Sequence, residues 1–509
     1  MIKSIVIVGG GTAGWISAGI IAARHRADNN QSIEVTLVES PDIPTIGVGE
    51  GTWPSMVNTI KTMGISEREF VRECDVSFKQ GIKFERWISG RNDDVYYHPF
   101  SYPHRSQQGG LIARWLRNSN SKSYAESITT QCYLDELSLA PKQLNSPEFN
   151  ALENYAYHLD AAKFSTFLKK HCTRKLKVRH IVDNVQGVNT NEQGNITSLK
   201  TQQNNEIEGD LFIDCSGISS ILLRQHFGIP FKSCKDTLFV DRALAVQVPY
   251  QKPSSPIASM TRSVAQQAGW IWDIGLPSRR GIGHVFSSNH ISVENAAKQL
   301  EDYLRPNVNN INDFQFREIR FEPGHAQKFW VKNCIAVGLS AGFVEPLEAS
   351  ALGMIELSAR MIAEHLPVSH SSMDVVAENF NQIFLQRWQL IIDFLKLHYC
   401  LSKRNDSEFW IDNRKSQSMS DTLKNLLRLW ENQPPLDNGF MNPYDMFPVA
   451  SYQYILYGMN FLTQPSHLNS SKFETQEAIK NLQIMASRTE KLAALVPTNR
   501  ELIKSMTAR

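Results

Sequence analysis

The most constraining feature of this chain is a glycine-rich turn between an apolar strand and an apolar helix. The run Ile5-Val-Ile-Val8 predicts a buried strand and leads directly into Gly9-Gly-Gly-Thr-Ala-Gly14. A helical stretch follows over residues 15–23, and a second apolar strand, residues 35–38, ends at Glu39. This order of strand, turn, helix and strand is one βαβ unit, so the sequence predicts an α/β fold containing a Rossmann-type module.

The turn has the residue types that dinucleotide binding requires. Gly9 permits the tight turn, Gly11 lets the backbone approach a pyrophosphate, and Gly14 allows the helix to pack closely against the strand. The N–H groups at the start of the helix face the phosphates, and Glu39 stands where a carboxylate binds the adenosine ribose. The residues expected to contact the dinucleotide at the turn are Gly9, Gly11, Thr12, Ala13 and Gly14.

The turn alone does not separate FAD from NAD, but two later segments favour FAD. Residues 177–215 form short β-like runs that close on Leu211-Phe-Ile-Asp-Cys-Ser-Gly217, and a second strand runs into Gly338-Leu-Ser-Ala-Gly342. Apolar strands that end in small residues are expected where a flavin fold approaches its cofactor. The alternative is two ordinary strand-to-loop turns, which we consider weaker because both follow a dinucleotide turn.

Composition describes an enzyme-sized globular chain. The 509 residues include 42% hydrophobic and 20% charged residues, which argues against disorder. Because 53 basic residues face 51 acidic ones, the net charge is only +2, and no bulk attraction to nucleic acid or to an anionic membrane is expected. No apolar run is long enough to span a bilayer.

Seven cysteines are scattered along the chain without metal-ligand spacing. An odd, dispersed set of this kind predicts reduced thiols and a cytoplasmic protein, with no metal site.

Two tryptophans, Trp270 and Trp272, lie one residue apart in Gly269-Trp-Ile-Trp-Asp-Ile-Gly275. Because side chains alternate along a strand, both indoles share one face. They either wall off a reactive intermediate or form part of a buried core strand, and the run alone leaves both interpretations open.

The remaining motifs carry a family resemblance. They are Gly9-Gly-Gly-Thr-Ala-Gly-Trp15, Gly47-Val-Gly-Glu-Gly-Thr-Trp-Pro54, Ser77-Phe-Lys79, the double-tryptophan run, Gly342-Phe-Val-Glu-Pro-Leu-Glu348 and Leu397-His-Tyr399. With them the chain resembles the flavin-dependent tryptophan halogenases, a family that includes indole and other aromatic halogenases. The resemblance covers about the first four-fifths of the chain, and the tail beyond Trp410 matches only loosely.

This resemblance implies an activity and a cofactor. Members of the family use reduced FAD, supplied by a separate NADH-dependent flavin reductase, and dioxygen to form a flavin hydroperoxide. Chloride or bromide attacks it to give hypohalous acid, which passes inside the protein to a small aromatic substrate. Such chemistry requires a water-excluding flavin site. In this family the double-tryptophan run is thought to keep the substrate away from the flavin.

The resemblance assigns the main catalytic role to Lys79, which guides or covalently holds the halogen. A partly buried ammonium donates a hydrogen bond to hypohalous acid, whereas a neutral amine forms a haloamine, and the sequence leaves both open. Without the family match, Lys79 reads as a solvated surface lysine, as Lys83 does.

The second catalytic residue implied by the resemblance is Glu348, which stabilises the positive charge on the arene and accepts the ring proton. Glu345 is assigned to the flavin-side loop. The alternative is that either acid simply begins the helix predicted over residues 352–366. Further flavin contacts implied by the resemblance are Gly49, Gly338 and Leu347.

The halide site departs from the family pattern. Tryptophan-specific members usually read Glu-Ser-Thr-Gly where this chain has Glu348-Ala-Ser350-Ala351. Ser350 and Ala351 retain the backbone N–H groups that bind halide, while Ala349 lacks a hydroxyl that is proposed to link the flavin loop with the lysine. The change makes bromide a serious candidate beside chloride. Gly275 also replaces the usual proline.

For the substrate, the resemblance implies that His98 and Phe100 sandwich an indole, since aromatic faces suit an aromatic ligand. A turn held by Pro99 is the structural alternative. Residues around Phe447 and Tyr452 align poorly with enzymes that act on free tryptophan, so we expect indole or a tryptophan derivative.

We expect a discontinuous FAD-binding module, residues 1–80 and 175–365, of the aromatic-hydroxylase-like flavin type. A mainly helical substrate-binding module would comprise residues 81–174 and 366–509. A halogenase is the leading hypothesis, with a flavin-dependent aromatic monooxygenase and a flavin-binding protein without turnover as alternatives. A second copy of the chain is a candidate partner.

Overall fold

The computed structural model describes residues 2–25, 33–43, 49–102, 109–117, 122–367, 370–436, 442–464 and 472–508. The chain divides into two compact units, and each unit is assembled from three separate segments. The first unit contains Met1–Val76, Leu159–Cys234 and Glu322–Trp388. The second unit contains Ser77–His158, Lys235–Phe321 and Gln389–Arg509.

Strands and helices are interspersed along the whole described chain. The strands are β1 (Ser4–Val8), β2 (Glu34–Glu39), β3 (Gly49–Gly51), β4 (Ser77–Lys79), β5 (Gly81–Glu85), β6 (Val95–Pro99), β7 (Ala156–Asp160), β8 (Arg179–Val182), β9 (Val185–Thr190), β10 (Ile196–Thr201), β11 (Glu206–Glu208), β12 (Leu211–Asp214), β13 (Phe231–Ser233), β14 (Arg242–Pro249), β15 (Thr261–Gln266), β16 (Gly269–Gly275), β17 (Arg279–Phe286), β18 (Arg317–Arg320), β19 (Gly324–Ala326), β20 (Trp330–Val331), β21 (Cys334–Ala336) and β22 (Gly342–Phe343). The helices are α1 (Thr12–Arg24), α2 (Ser55–Thr62), α3 (Glu67–Glu73), α4 (Gly109–Arg117), α5 (Tyr124–Ile128), α6 (Gln131–Glu136), α7 (Ala161–Arg174), α8 (Val293–Leu304), α9 (Ser350–Glu364), α10 (His370–Cys400), α11 (Glu408–Asn413), α12 (Asp421–Trp430), α13 (Val449–Gly458), α14 (Lys472–Leu495) and α15 (Asn499–Thr507).

The first unit is built on a six-stranded sheet with the order β20-β21-β12-β1-β2-β8. All neighbouring strands are parallel except β20, which runs antiparallel to β21. Val8 lies opposite Val38 on one side and opposite Asp214 on the other. The ends of β1, β2 and β12 therefore meet at one edge of the sheet, where a doubly wound fold binds its ligand.

The predicted βαβ unit is confirmed at this edge. Helix α1 contains the predicted residues 15–23 and is buried along most of its length, because its apolar residues pack on the sheet and on the neighbouring helices α7 and α9. The strand predicted before the glycine turn is β1, and the strand that ends at Glu39 is β2. The α/β fold with a Rossmann-type module is therefore confirmed.

The second unit contains a seven-stranded sheet with the order β18-β14-β17-β16-β15-β5-β6. Its neighbours are antiparallel apart from β5 and β15, which are parallel. Most of the remaining described helices belong to this unit, including α11 to α15. The second unit therefore contains helices, as expected for the substrate-binding module, and in addition a seven-stranded sheet that the sequence did not indicate.

The two compact units also differ from the module boundaries expected from the sequence. Residues 235–321 lie in the second unit, because β14–β17 share their sheet with β5 and β6. Helix α7, residues 161–174, lies in the first unit, because it packs on α1. Across the described residues, no helix is long and apolar enough to cross a membrane, and no group of three or more metal-ligating side chains is found.

Candidate active site

The glycine turn has the geometry expected of a phosphate-binding loop. Gly9 has a φ of 117°, and a Cβ atom there would lie 2.1 Å from the carbonyl oxygen of Cys215. A Cβ at Gly14 would lie 1.9 Å from the carbonyl oxygen of Gly9, whereas Gly11 has open space around it. No side chain caps α1 at Gly11, so the N–H groups of its first turn fit a pyrophosphate. The residues present therefore fit an FAD.

Glu39 lies beside the glycine turn and has two partners of its own. Its Oε2 accepts hydrogen bonds from Lys169 Nζ at 3.0 Å and from His180 Nε2 at 2.7 Å. Burial lowers the pKa of His180, and Lys169 lowers it further, which favours a neutral imidazole donating to the carboxylate. The sequence predicted Glu39 but gave no signal for the two residues that orient it.

Asp214 anchors the loop that contains Gly338. Its buried carboxylate accepts hydrogen bonds from Ser340 Oγ at 3.1 Å and from Ser216 Oγ at 2.6 Å. Gly338 has a φ of 73°, and a Cβ there would lie 2.7 Å from Cβ of Ala13 at the start of α1. The structure thus brings Gly338 together with the glycine turn, as the flavin prediction requires. The role of Asp214 was not predicted, although its position at a strand end was a usable signal.

Gly49 begins β3, while Gly47 and Val48 of the same motif lie outside the described residues. Burial, together with the smaller effect of the charge of Asp160, raises the pKa of the neighbouring Glu50 to about 7. A carboxyl group with this pKa exchanges its proton near neutral pH.

Trp53, four residues beyond Gly49, supports the loop of Glu348. Its Nε1 donates a 2.7 Å hydrogen bond to the backbone oxygen of Glu348. The indole also packs on Gly353, where a Cβ would lie 2.5 Å from the ring. Glu348 and Leu347 are both buried in the turn Pro346–Glu348 that precedes α9. The sequence motif contained Trp53 but did not reveal this contact.

Glu356 lies in α9, about one helical turn after Gly353, and connects this helix to α2. Its Oε2 accepts a 2.8 Å hydrogen bond from Ser55 Oγ, its Oε1 accepts another from Thr59, and Arg360 lies 3.5 Å away. Burial raises the pKa of Glu356 to about 6. This network was not predicted, because the helical pattern assigns the position only to a buried face.

The two predicted halide residues, Ser350 and Ala351, are the first residues of α9. Ala349 before them has a φ of 54° and provides no side-chain cap. Backbone N–H groups and the helix dipole at such a start favour an anion. Both residues, together with Gly338, line a mainly apolar cavity of about 50 Å³ in the first unit. The structure therefore places the predicted halide residues and one predicted flavin residue around the same cavity.

Lys79 is a fully buried residue of the second unit, at the end of β4. Its Nζ lies 5.3 Å from the centroid of the Phe100 ring. Burial lowers the pKa of His158 well below its usual range, and the charge of Lys79 lowers it further. His158 Nε2 lies 2.7 Å from Thr261 Oγ1. Lys79 is thus not a solvated surface lysine, and the structure brings it together with the predicted substrate residue Phe100.

His98 is buried in β6 within an aromatic group of the second unit. Its Nε2 lies 2.8 Å from Ser451 Oγ. The rings of Phe394, Phe447 and Tyr454 have centroids 5.9, 6.4 and 6.3 Å from the imidazole. Aromatic walls of this kind suit a flat arene. The residues of α13 were not predicted, because they lie in the part of the chain where the resemblance is loose. Phe394 lies before that part, and no sequence motif pointed to its place beside His98.

Trp270 and Trp272 lie on β16, an interior strand of the seven-stranded sheet. Their ring centroids are 6.4 Å apart and their planes are inclined by 63°. Both residues are buried, and Trp272 packs against Gly283 of β17. This packing satisfies the core-strand interpretation, and the barrier role stays a prediction.

Lys79 belongs to the second unit and Glu348 to the first. That the two side chains share one cavity stays a prediction.

Comparisons with known proteins decide the family. The profile described as tryptophan halogenase matches residues 4–474. The chain belongs to the tryptophan halogenase family. A crystal structure of a tryptophan halogenase from Shewanella frigidimarina NCIMB 400 is 47% identical, with a TM-score of 0.96 over 99% of this chain and 98% of that one.

Two other members of the family extend this comparison. Tryptophan 6-halogenase SttH of Streptomyces toxytricini is 30% identical over 99% of this chain and 98% of its own length. BrvH, a flavin-dependent halogenase from Brevundimonas sp. BAL3, is 29% identical with a TM-score of 0.86, over 99% of each chain. The resemblance seen in the sequence is therefore confirmed, and the chain is a flavin-dependent halogenase. The comparisons support halogenation and not the monooxygenase alternative.

Proposed function

We propose that this tryptophan halogenase uses FADH2 and dioxygen to oxidise chloride or bromide to hypohalous acid, which Lys79 directs onto an electron-rich arene such as indole or a tryptophan derivative. The observation that carries the proposal is a fully buried lysine 5.3 Å from the face of an aromatic side chain. Lysine is among the residue types that are least often fully buried, and Lys79 also occupies the position that matches the family's lysine.

FAD would be held by the glycine turn, by Glu39, and by Gly49, Gly338 and Leu347. Bound reduced FAD supplies, with dioxygen, the oxidising equivalents for the halide. The halide would bind at Ser350 and Ala351, through the N–H groups at the start of α9. Because the N–H donors come from the backbone, the loss of the family's Thr and Gly leaves them in place, and bromide competes with chloride.

Lys79 acts on the halogen in one of two ways. An ammonium donates a hydrogen bond to hypohalous acid and makes the halogen more electrophilic, whereas a neutral amine carries it as a haloamine. Desolvation disfavours the charged form, while the π face of Phe100 favours it. Glu348 is proposed to stabilise the cationic arene and to accept its proton.

The arene is proposed to bind near His98 and Phe100, with the rings around His98 providing apolar contacts. Trp270 and Trp272 are proposed to separate it from the flavin. The protein partner is proposed to be a separate NADH-dependent flavin reductase in the cytoplasm, where cysteine thiols remain reduced. A homodimer is a further proposal.

The function is tested by incubating the protein with FAD, a flavin reductase, NADH, indole and either bromide or chloride. Mass spectrometry should detect monohalogenated indole, and omission of the halide should abolish it. Hydroxylated indole without halogenated product would overturn the proposal.

The role of Lys79 is tested by Lys79→Ala, with Lys83→Ala as the matched control, because Lys83 is half-buried and also lies over an aromatic ring, Tyr97, at 5.4 Å. We expect Lys79→Ala to abolish halogenation while FAD binding, measured by flavin fluorescence, is retained. Lys83→Ala should keep most activity. Full activity of Lys79→Ala would remove this lysine from the mechanism.

A further inference from the structure

Strand β4, which carries Lys79, is an edge strand of a third, three-stranded sheet and pairs with β7. Ser77 lies opposite His158 and Lys79 opposite Ala156, in antiparallel register. In such a pair, successive residues turn their backbone N–H and C=O groups to opposite edges of the strand. Phe78, between them, therefore has a backbone donor and acceptor that need partners away from β7.

The side chain of Asn499 provides both partners. The N–H of Phe78 donates to Asn499 Oδ1 at 3.3 Å, and Asn499 Nδ2 donates to the Phe78 carbonyl oxygen at 2.9 Å. Nδ2 also lies 3.4 Å from the carbonyl oxygen of Ala258. A carboxamide has the donor and acceptor of a peptide group, so this side chain takes the place of a neighbouring strand residue. Asn499 is fully buried.

Asn499 is itself fixed at the start of α15. Its backbone N–H donates to the carbonyl oxygen of Ser138 at 2.8 Å. Thr498 and Glu501 form a capping box that holds the first turn of this helix. The C-terminal helix therefore presents the carboxamide from a rigid position.

We propose that Asn499 is a positioning residue for Lys79. By holding both backbone groups of Phe78 it fixes the edge of β4, and with it the position and direction of the Lys79 side chain. Displacements of about 1 Å in a catalytic group lower rates by up to about a hundredfold. Asn499 contacts neither substrate nor halogen and acts through the strand. This inference rests on the proposed function, because the role of Lys79 does, and residue 499 lies beyond the residues 4–474 that the family profile matches.

The two hydrogen bonds between the Asn499 side chain and the backbone of Phe78 form a clamp on β4. Three substitutions separate the contributions of these two bonds. Asn499→Leu has a similar volume and removes both hydrogen bonds, Asn499→Asp keeps the acceptor alone, and Asn499→Gln keeps the carboxamide on a longer chain. The matched control is Asn333→Leu. Asn333 is also buried, and its carboxamide binds both backbone groups of a single residue, Ile196, at 2.9 and 2.8 Å within the first unit.

The decisive measurements are halogenated product per flavin reoxidised, hypohalous acid captured by an added 1,3-diketone, and the ratio of ring isomers on an arene with several reactive positions. In Asn499→Leu we expect product per flavin to fall about tenfold, captured hypohalous acid to rise, and the isomer ratio to change, while FAD affinity stays within about twofold. Asn499→Gln should recover part of the loss. In Asn333→Leu, product and flavin reoxidation should fall together, with an unchanged isomer ratio.

The proposal is overturned if Asn499→Leu keeps the wild-type product per flavin and isomer ratio, or if Asn333→Leu changes both in the same way. If Asn499→Leu does not fold, Asn499→Asp and Asn499→Gln decide by the same measurements. Absence of halogenation in the wild-type protein would refute the proposed function alone. The clamp is then tested by acylation of Lys79 with acetic anhydride in flavin-free protein, read by peptide mass spectrometry. A reaction rate at least about threefold faster in Asn499→Leu supports the clamp, and an unchanged rate overturns it.

Discussion

Single side chains tie distant parts of the first unit together. Trp53 donates to the backbone of Glu348, Glu356 accepts from Ser55, and Lys169 donates to Glu39. Each of these bonds joins segments that are more than a hundred residues apart in the sequence. The candidate flavin and halide residues are thus held by hydrogen bonds from residues outside the predicted set of ligand contacts.

The contribution of the Trp53 hydrogen bond can be separated from the contribution of its aromatic ring. Trp53→Phe keeps an aromatic ring over Gly353 but leaves the Glu348 carbonyl without its indole donor. Loss of this hydrogen bond should lower stability by about 1–2 kcal/mol and should lower halogenation, because the loop of Glu348 is released. Denaturant unfolding and product formation at saturating FAD measure the two effects.

The control for this substitution is Trp330→Phe, which removes a similar 3.0 Å bond from an indole to the carbonyl oxygen of Lys332. It should lower stability by a comparable amount and leave halogenation per folded protein unchanged. Equal losses of activity in both variants would assign the effect of Trp53 to general destabilisation.

Glu356 makes the stability of the first unit depend on pH. Burial raises its pKa from 4.5 to about 6, so between these values the folded protein binds more protons than the unfolded chain. The sign follows: this group's contribution to stability is most favourable below about pH 4.5, falls as the pH rises, and is constant above about pH 6. A shift of this size corresponds to about 2 kcal/mol.

Glu356→Gln does not titrate and tests this directly. Relative to the wild type, the variant should become more stable by about 2 kcal/mol as the pH rises from 4.5 to 7. Unfolding of both proteins by denaturant at each pH measures the difference. A difference that does not change with pH would show that Glu356 has an ordinary pKa in the folded protein.

Secondary-structure elements formed by local pattern were predicted well. The strands around the glycine turn, and the helices α1 and α9, correspond to predicted segments within a few residues. These patterns are local, because apolar spacing and end signals lie within each segment. The seven-stranded sheet was not predicted, since β5 pairs with β15 about 180 residues later and no periodicity encodes such a partner.

The same division applies to the candidate site. Gly9, Gly14 and Gly338 were predicted, because close backbone approach requires glycine and leaves a readable motif. Asp214, Glu356 and Asn499 were not, because a buried polar residue acts through its partners and those partners are set by tertiary contacts. Lys79 was found only through a family motif, and its burial became visible in the structure.

Substitutions of two glycines of the turn should differ in their effect on the stability of the flavin-free protein. Gly14→Ala places a Cβ 1.9 Å from the Gly9 carbonyl oxygen, so it should destabilise the flavin-free protein and weaken FAD binding. Gly11→Ala meets no neighbouring atom within 4 Å and has an ordinary φ of −75°. It should keep the thermal midpoint of the flavin-free protein and weaken FAD binding alone, by about tenfold or more, because a methyl group there would occupy space that the predicted pyrophosphate needs. Calorimetry and flavin titration of both variants test this, and normal FAD affinity of Gly11→Ala would contradict the turn's assignment.

At the scale of the whole molecule, none of the seven cysteines, which all lie among the described residues, forms a disulfide, and six of them are buried. Burial raises the pKa of most of these thiols, including Cys172 and Cys400, both to about 12. Since the thiolate is the reactive form, the native protein should react slowly with a disulfide reagent at pH 8 and at a minority of its thiols. In denaturant all seven should react, with or without prior reduction. Fewer than seven would indicate a disulfide.

Each compact unit consists of three stretches of chain separated by stretches of the other, and this arrangement has a consequence for synthesis. The strand that precedes the glycine turn, β1, is synthesised about two hundred residues before β12, one of its two sheet neighbours. The next strand of the sheet, β21, follows β12 more than a hundred residues later. During translation at about 5–20 residues per second, that apolar strand waits ten seconds or longer for its neighbour. Slower translation or additional chaperone should therefore raise the yield of soluble enzyme from an expression host.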